Sequence, residues 1–422
     1  MAAGQEAAAG ASPAPGRNTG HVRLVLILGS LSSFGPLSID MYLPALPAMA
    51  RDLHTSAAVA QLSLTACLIG LATGQLLAGP LSDARGRRRP LLTGVASYAV
   101  ASALCIAAPS IWALLALRLV QGFAGAAGIV IARAIVRDLY DGDELARFFA
   151  LLLMVNGTAP IVAPIAGAQL LHFTTWRGVF AVLAVIGVAM LVATAIGLPE
   201  TLPPGRRRSG GARAIARDGR RLLADREFCG YALASGLAFG AMFAYISGSP
   251  FVLQAMFGVS PQLFSVIFAI NGLGIIAAGQ ISRRLIGRVP PRALLAAGLT
   301  GSAAGGAALL IAAAAGIGLP MILPALFIVV SSVGLILPNA TALALAGHAR
   351  DAGSASAVLG LAQFAIGAAA APLVGVAGPH TDLPMAIVIC VLGIGAWLSR
   401  PKSRHPGEPP PGPDPRRDGS IR

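Results

Sequence analysis

The chain is poor in charge, and poorest in acids. Only 11% of its residues are charged, and Asp and Glu number 17 against 31 Lys and Arg. With 56% hydrophobic residues, this excludes an ordinary soluble domain, in which about a quarter of residues are charged. Between Glu227 and Asp351 there is no acid at all and the spans of the second half contain none, so no carboxylate pair for acid–base chemistry lies in a span. The four cysteines, Cys67, Cys105, Cys229 and Cys390, lie far apart in apolar stretches, which excludes a disulfide framework and any metal or redox spacing. His172, His348 and His380 are scattered, which argues against a membrane-embedded enzyme. No G-x-x-x-x-G-K-[ST] motif is present, so the chain shows no sign of direct ATP drive. No cofactor or metal is expected.

What is present is apolar sequence, cut into pieces. Twelve stretches approach the roughly 20 residues that cross a bilayer. The first starts near Val22. The next five are about Val59–Leu77, Leu91–Ala108, Ile111–Val136, Phe148–Leu171 and Val179–Leu198. After an interruption come Phe228–Leu253, Leu263–Ile281, Ala293–Ile317, Met321–Ala346, Ala355–Val376 and Leu383–Leu398. The expected class is an all-α membrane protein of two six-helix halves. Residues 1–21 form an N-terminal tail, 22–198 the first half, 199–227 a linker, 228–399 the second half and 400–422 a C-terminal tail. Both tails are rich in small residues and proline, and are expected to be disordered.

The net charge of +14 does not mark a nucleic-acid binder, because the arginines fall in short blocks between spans. The blocks follow spans 2, 4, 6, 8 and 10, where the positive-inside rule puts cytoplasmic loops. Both tails and the linker are therefore expected in the cytoplasm. Two such halves are suited to alternating access by rigid-body rocking, with a site near the midplane.

Asp40 breaks the apolar pattern of span 1, and Pro36, Pro44 and Pro47 surround it. Proline removes a backbone donor, which a membrane tolerates where neighbours or a water-filled cavity satisfy the freed carbonyl. The other acids of the first half fall in loops or at helix ends. By elimination, Asp40 is the carboxylate placed to carry a proton across the midplane. Arg118, in span 4, is a second intramembrane charge. It either tunes a carboxylate such as Asp40 or forms a structural ion pair between spans 1 and 4. Met41, Tyr42, Gln121, Met242, Tyr245, Asn339 and Gln363 are candidates to line a substrate cavity, and Pro36, Pro160 and Pro164 are candidate helix-bending positions. One acid among neutral walls suits a neutral or weakly cationic amphiphile.

Gly79-Pro80-Leu81-Ser82-Asp83-Ala84-Arg85-Gly86-Arg87 resembles the signature loop of the major facilitator superfamily, with Ala84 where a base is usual. Leu114-x3-Arg118-x2-Gln121-Gly122 resembles the span 4 motif of its drug–proton antiporters. Pro160 and Pro164, with Gly157 and Gly167, resemble a variant of their span 5 motif. Ser38–Pro47 and Ala132–Asp138 resemble the bicyclomycin/chloramphenicol-resistance (Bcr/CflA) subfamily. The resemblance implies the major facilitator fold and a drug:H+ antiporter in a bacterial inner membrane. It implies multidrug efflux and antibiotic resistance, with the proton gradient as drive, protons, lipid and a small molecule as partners, and a monomer as working unit. It also implies a conformational latch of Gly79, Asp83, Gly86, Arg87 and Asp138; a solvated basic loop is the alternative for the same residues. A proton-coupled metabolite transporter shares the architecture.

Overall fold

The computed structural model describes residues 16–207, 221–348, 352–378 and 380–401. The tail before Gly16, the arginine-rich centre of the linker and the tail after Pro401 lie outside the described residues. Every regular element described is helical. Helices α1 (Gly16–Ser32), α2 (Phe34–Asp40) and α3 (Leu46–Asp52) form a broken first span, bent by 45°. Spans 2–6 are α4 (Ala57–Arg85), α5 (Arg88–Ile106), α6 (Ile111–Leu139), α7 (Gly142–Leu170) and α8 (Trp176–Gly197). Spans 7–12 are α9 (Arg226–Ser249), α10 (Pro261–Leu285), α11 (Pro291–Ala314), α12 (Leu319–Ala346), α13 (Ala352–Leu373) and α14 (Leu383–Leu398). Among the described residues ten helices are long and apolar enough to cross a membrane, the bent first pair makes an eleventh, and α14 is a shorter apolar helix of 16 residues.

Local chemistry explains the ends and the breaks. The hydroxyls of Ser56, Ser110 and Ser260 accept the first free N–H groups of α4, α6 and α10. In span 1, Pro36 lacks the N–H that would reach Ser32, and the helix breaks at Ser33. Pro44 likewise leaves the Asp40 carbonyl without its helical donor, and α2 ends at Asp40. Pro160 and Pro164 do not break α7, which is continuous from Gly142 to Leu170. Pro250 opens a π-helical segment, Pro250–Met256, at the end of span 7.

Small residues set the close packing. A methyl on Gly70, Gly74 or Gly122 would overlap backbone atoms of the facing helix, so α4 and α6 meet backbone to backbone. Gly334 does the same for α12 against the Ile275 carbonyl of α10, the equivalent pair in the second half.

The buried core shows how the halves meet. At the end away from the arginine-rich loops it is one continuous cluster, joining Leu46 and Leu64 of the first half to Phe251, Phe264 and Val374 of the second. At the arginine-rich end it splits into two separate clusters, one around Phe148 and Val136, the other around Phe228 and Leu359. The halves are closed at one end and parted at the other.

Candidate functional site

The gap between the halves holds a cavity of about 460 Å³. Spans 1, 2, 4 and 5 supply one wall, including Pro36, Asp40, Gln75, Arg133, Asn156 and Pro160. The facing wall comes from the second half and is mostly aromatic: Phe239, Phe243, Tyr245, Phe268 and Phe364, with Met242 and Gln363. Phe239 is the centre of the aromatic shelf, 4.8 Å from Phe243 and 5.6 Å from Phe364 between ring centroids. A small amphiphile fits such a surface, an apolar body against the rings and polar groups against the other wall.

Asp40 lies where α2 ends, with its side chain on the cavity wall. The residue is only 5% exposed. Among the described residues its carboxylate has no hydrogen-bond partner and no ion pair. The structure does not pair it with Arg118, so the alternative of an ion pair between spans 1 and 4 is not realised. Arg118 is fully buried instead, behind the bend of span 1. It donates to the Ser38 carbonyl at 2.7 Å and to the Gln121 amide oxygen, and its guanidinium lies 4.5 Å from the Tyr42 ring and 5.6 Å from the Phe180 ring. Gln121 passes the contact on to Ser102 at 2.7 Å, and Ser102 to the Tyr98 carbonyl. Tyr98 in turn donates to Ser38 at 2.8 Å. Arg118 thus holds the backbone two residues before Asp40, through a closed ring of neutral partners. A carbonyl and two π faces compensate the charge, a use that guanidinium supports better than ammonium.

Of the seven expected cavity residues, Met242, Tyr245 and Gln363 line the cavity. Met41 and Tyr42 are buried behind it, Tyr42 donating to Ser63 at 2.8 Å. Gln121 serves Arg118. Asn339 ties α12 to α10 through Ser282 at 2.8 Å. Each of these polar groups is satisfied by a neighbouring helix, the commonest use of polar side chains in a bundle. Gln75, Asn156 and Arg133 line the cavity and were not expected there. For Arg133 a signal existed: it lies four residues after Ile129, on the same helix face, and both residues line the cavity. The walls are therefore not otherwise neutral.

The loop motif builds a charge network at the arginine-rich end. Arg87 bonds Asp83 at 2.5 Å, Asp138 at 2.8 Å and the Ser82 hydroxyl at 2.8 Å. Gly86 has φ +90°, a turn that only glycine adopts without strain. Gly79 is different from expectation: it lies inside the continuous helix α4, away from the turn, because the helix runs on to Arg85. Glu200, at the exit of α8, was missed by sequence reasoning. Its carboxylate accepts the N–H groups of Arg87 at 2.8 Å, Arg88 at 3.2 Å and Leu202 at 3.0 Å, capping α5. Burial pushes the Glu200 carboxyl upward, but these backbone donors outweigh it and hold it below the usual carboxylate range. All of these residues belong to the first half or its exit, so in this state the network ties one half together.

Helices in two six-span halves around a cavity closed at one end only have the architecture of a membrane transporter. The family model for the Major Facilitator Superfamily matches residues 28–372, and the chain belongs to that superfamily. It is a transporter and not an enzyme. It is 43% identical over 393 residues to the uncharacterized MFS-type transporter YdgK of Bacillus subtilis, covering 92% of this chain and 98% of that protein. It is 32% identical over 383 residues to a bicyclomycin resistance protein homolog of Haemophilus influenzae, covering 89% of this chain and 96% of that protein. Among solved structures it resembles a bacterial homolog of the human lysosomal transporter Spinster, inward-facing and unoccupied, with a TM-score of 0.68, 17% identity and coverage of 92% of this chain and 95% of the other; that likeness concerns the fold alone.

Proposed function

We propose that the chain is a proton-coupled exporter of small amphiphilic molecules, antibiotics among them, working by alternating access across a bacterial cytoplasmic membrane. The observation that carries this is Asp40: a buried carboxylate on the wall of a one-ended cavity, with no fixed partner among the described residues. Intramembrane acids of this kind mark ion pathways. Without a fixed partner, the carboxyl exchanges its proton with cavity water or yields its place to cargo.

The described state is the inward-facing one, if the arginine-rich loops face the cytoplasm. Cargo enters from the cytoplasm or inner leaflet while Asp40 is ionised. The halves rock, the opposite end parts, and cargo leaves. A proton from outside neutralises Asp40 and the empty carrier returns. One proton per cycle supplies about 2.3 kcal/mol per 100 mV and about 1.4 kcal/mol per pH unit. Together these sustain a gradient of roughly several hundredfold for neutral cargo, enough for resistance. The names of the bicyclomycin-resistance relative and of a Pseudomonas aeruginosa chloramphenicol resistance protein, 34% identical over 275 residues, support drugs as cargo. The loop network around Arg87 is proposed as the latch that stiffens the first half during rocking, and Arg118 as the positioning residue for Asp40.

The test is drug susceptibility of a pump-deficient host expressing the wild type or Asp40→Asn at matched membrane levels. The panel holds chloramphenicol-like, bicyclomycin-like and lipophilic cationic compounds. Protection by the wild type alone supports export through Asp40. Equal protection by both assigns Asp40 a structural role. No protection by either removes drugs as the cargo.

A further inference from the structure

The cavity contains a second charge that the proposed cycle does not use. Arg133 lies on the α6 wall, shares its cavity with Asp40, and is exposed to the cavity. Among the described residues no carboxylate pairs with it and no hydrogen bond occupies its guanidinium. Asp138 on the same helix and Asp83 in the last turn of α4 are both taken by Arg87. A guanidinium at membrane depth stays charged and needs acceptors. Here the vacant acceptor position is in the cavity, opposite the shelf of Phe239, Phe243 and Phe364.

We infer that Arg133 is an anion subsite of the transport cavity, so that the preferred cargo is an amphiphile with a carboxylate at one end and an aromatic or aliphatic body. This rests on the cavity being the transport site, and it replaces a neutral or weakly cationic cargo. The guanidinium fork matches a carboxylate with two parallel N–H donors. The body lies against the aromatic shelf of the other half, so the cargo spans both halves and its binding favours their approach. Asp40 in the same cavity limits the charge to one: a polyanion would place its second charge near an acid, whereas a donor or cationic group at that end would be matched by it.

The experiment measures saturable binding to the purified full-length chain in nanodiscs, with empty nanodiscs subtracted. The probes are three acids and their methyl esters: 1-naphthylacetic acid, 4-phenylbutyric acid and dansylglycine. In the wild type the acids should bind about tenfold or more tightly than their esters. Arg133→Gln should bring acid and ester to within about twofold, with ester binding kept as the sign that the variant folds. Asp40→Asn should keep the preference for the acids. A second measurement uses the wild type alone. Phenylglyoxal modification of Arg133, read by peptide mapping, should slow severalfold with an acid and not with its ester. Acids binding no better than esters, no saturable binding of any acid, a preference that survives Arg133→Gln, or equal protection by acid and ester would each overturn the anion subsite. Loss of proton-driven drug export with the acid preference intact would overturn the export proposal and leave the subsite standing.

Discussion

The closed end of the cavity is held by a small set of neutral hydrogen bonds between the halves, and their removal should open it. Gln61 of α4 donates to the Ser247 carbonyl of α9 at 3.0 Å, and Thr65 of α4 donates to the Ala368 carbonyl of α13 at 2.8 Å. Gln262 of α10 donates to the Ala168 carbonyl of α7 at 3.0 Å. All three join one half to the other at the end away from the arginine-rich loops. None can survive the parting of that end, so each favours the closed arrangement by its own net worth. Polar contacts between membrane helices average about 0.6 kcal/mol, and neutral hydrogen bonds in general are worth about 0.5–1.5 kcal/mol. Three together give about 2–4 kcal/mol, or a shift of roughly 20- to 1,000-fold in the equilibrium between the two arrangements. The triple variant Gln61→Leu, Thr65→Val, Gln262→Leu removes the donors and keeps the volumes close. Spin labels at Arg51, in the last turn of α3, and at Val376, in the loop after α13, lie on opposite halves and would report the separation in a background lacking native cysteine. The expected result is a new or enlarged population at long distance, absent in a Gln75→Leu control. An unchanged distance distribution in a folded triple variant would refute these bonds as the closure.

Other substitutions test other parts of the structure. Arg118→Met should leave the protein folded but loosen the bend of span 1, abolishing gradient-driven transport while cavity binding of an uncharged probe falls less than about threefold; wild-type transport in that variant would remove its positioning role. Glu200→Ala should cost about 1 kcal/mol of thermal stability through the lost cap of α5, read from the melting of purified protein. Because the folded-state carboxyl of Glu200 lies below its ordinary value, its contribution is fully present above about pH 4.5 and fades as pH falls through the folded value, so the difference between Glu200→Ala and wild type should shrink on acidification below about pH 4.5. Gly122→Ala should destabilise by roughly 1–3 kcal/mol, since its methyl would overlap the Cys67 carbonyl and force α4 and α6 apart.

The spans and the loop motif were legible because each rests on local sequence. Apolar length marked the spans, Gly86 marked the turn, and the four-residue spacing of Asp83 and Arg87 marked their pairing. The broken first span was legible from Pro36 and Pro44, although the break falls not at a proline but at Ser33, three residues before Pro36 and next to Ser32, whose carbonyl Pro36 leaves without a helical donor. Side-chain partners across helices were not legible. Whether Tyr42, Gln121 and Asn339 meet cargo or a neighbouring helix depends on which face of each helix turns inward. In Ala- and Gly-rich spans, faces of similar hydropathy do not mark that direction. For the same reason Arg118 looked like the partner of Asp40, whereas the arginine that shares its cavity is Arg133. Glu200 was missed because its role is defined by a loop more than a hundred residues earlier in the chain.

The central claim is that Asp40 carries the coupling proton. The most direct measurement is transport in proteoliposomes containing wild type or Asp40→Asn, with the compound to which the wild type gives the greatest protection. Uptake is followed with and without an imposed pH gradient, together with exchange of labelled for unlabelled compound at equal pH. The expected result is that Asp40→Asn loses gradient-driven accumulation while exchange persists at a rate within about tenfold of wild type. Accumulation by Asp40→Asn that still follows the pH gradient would contradict the claim.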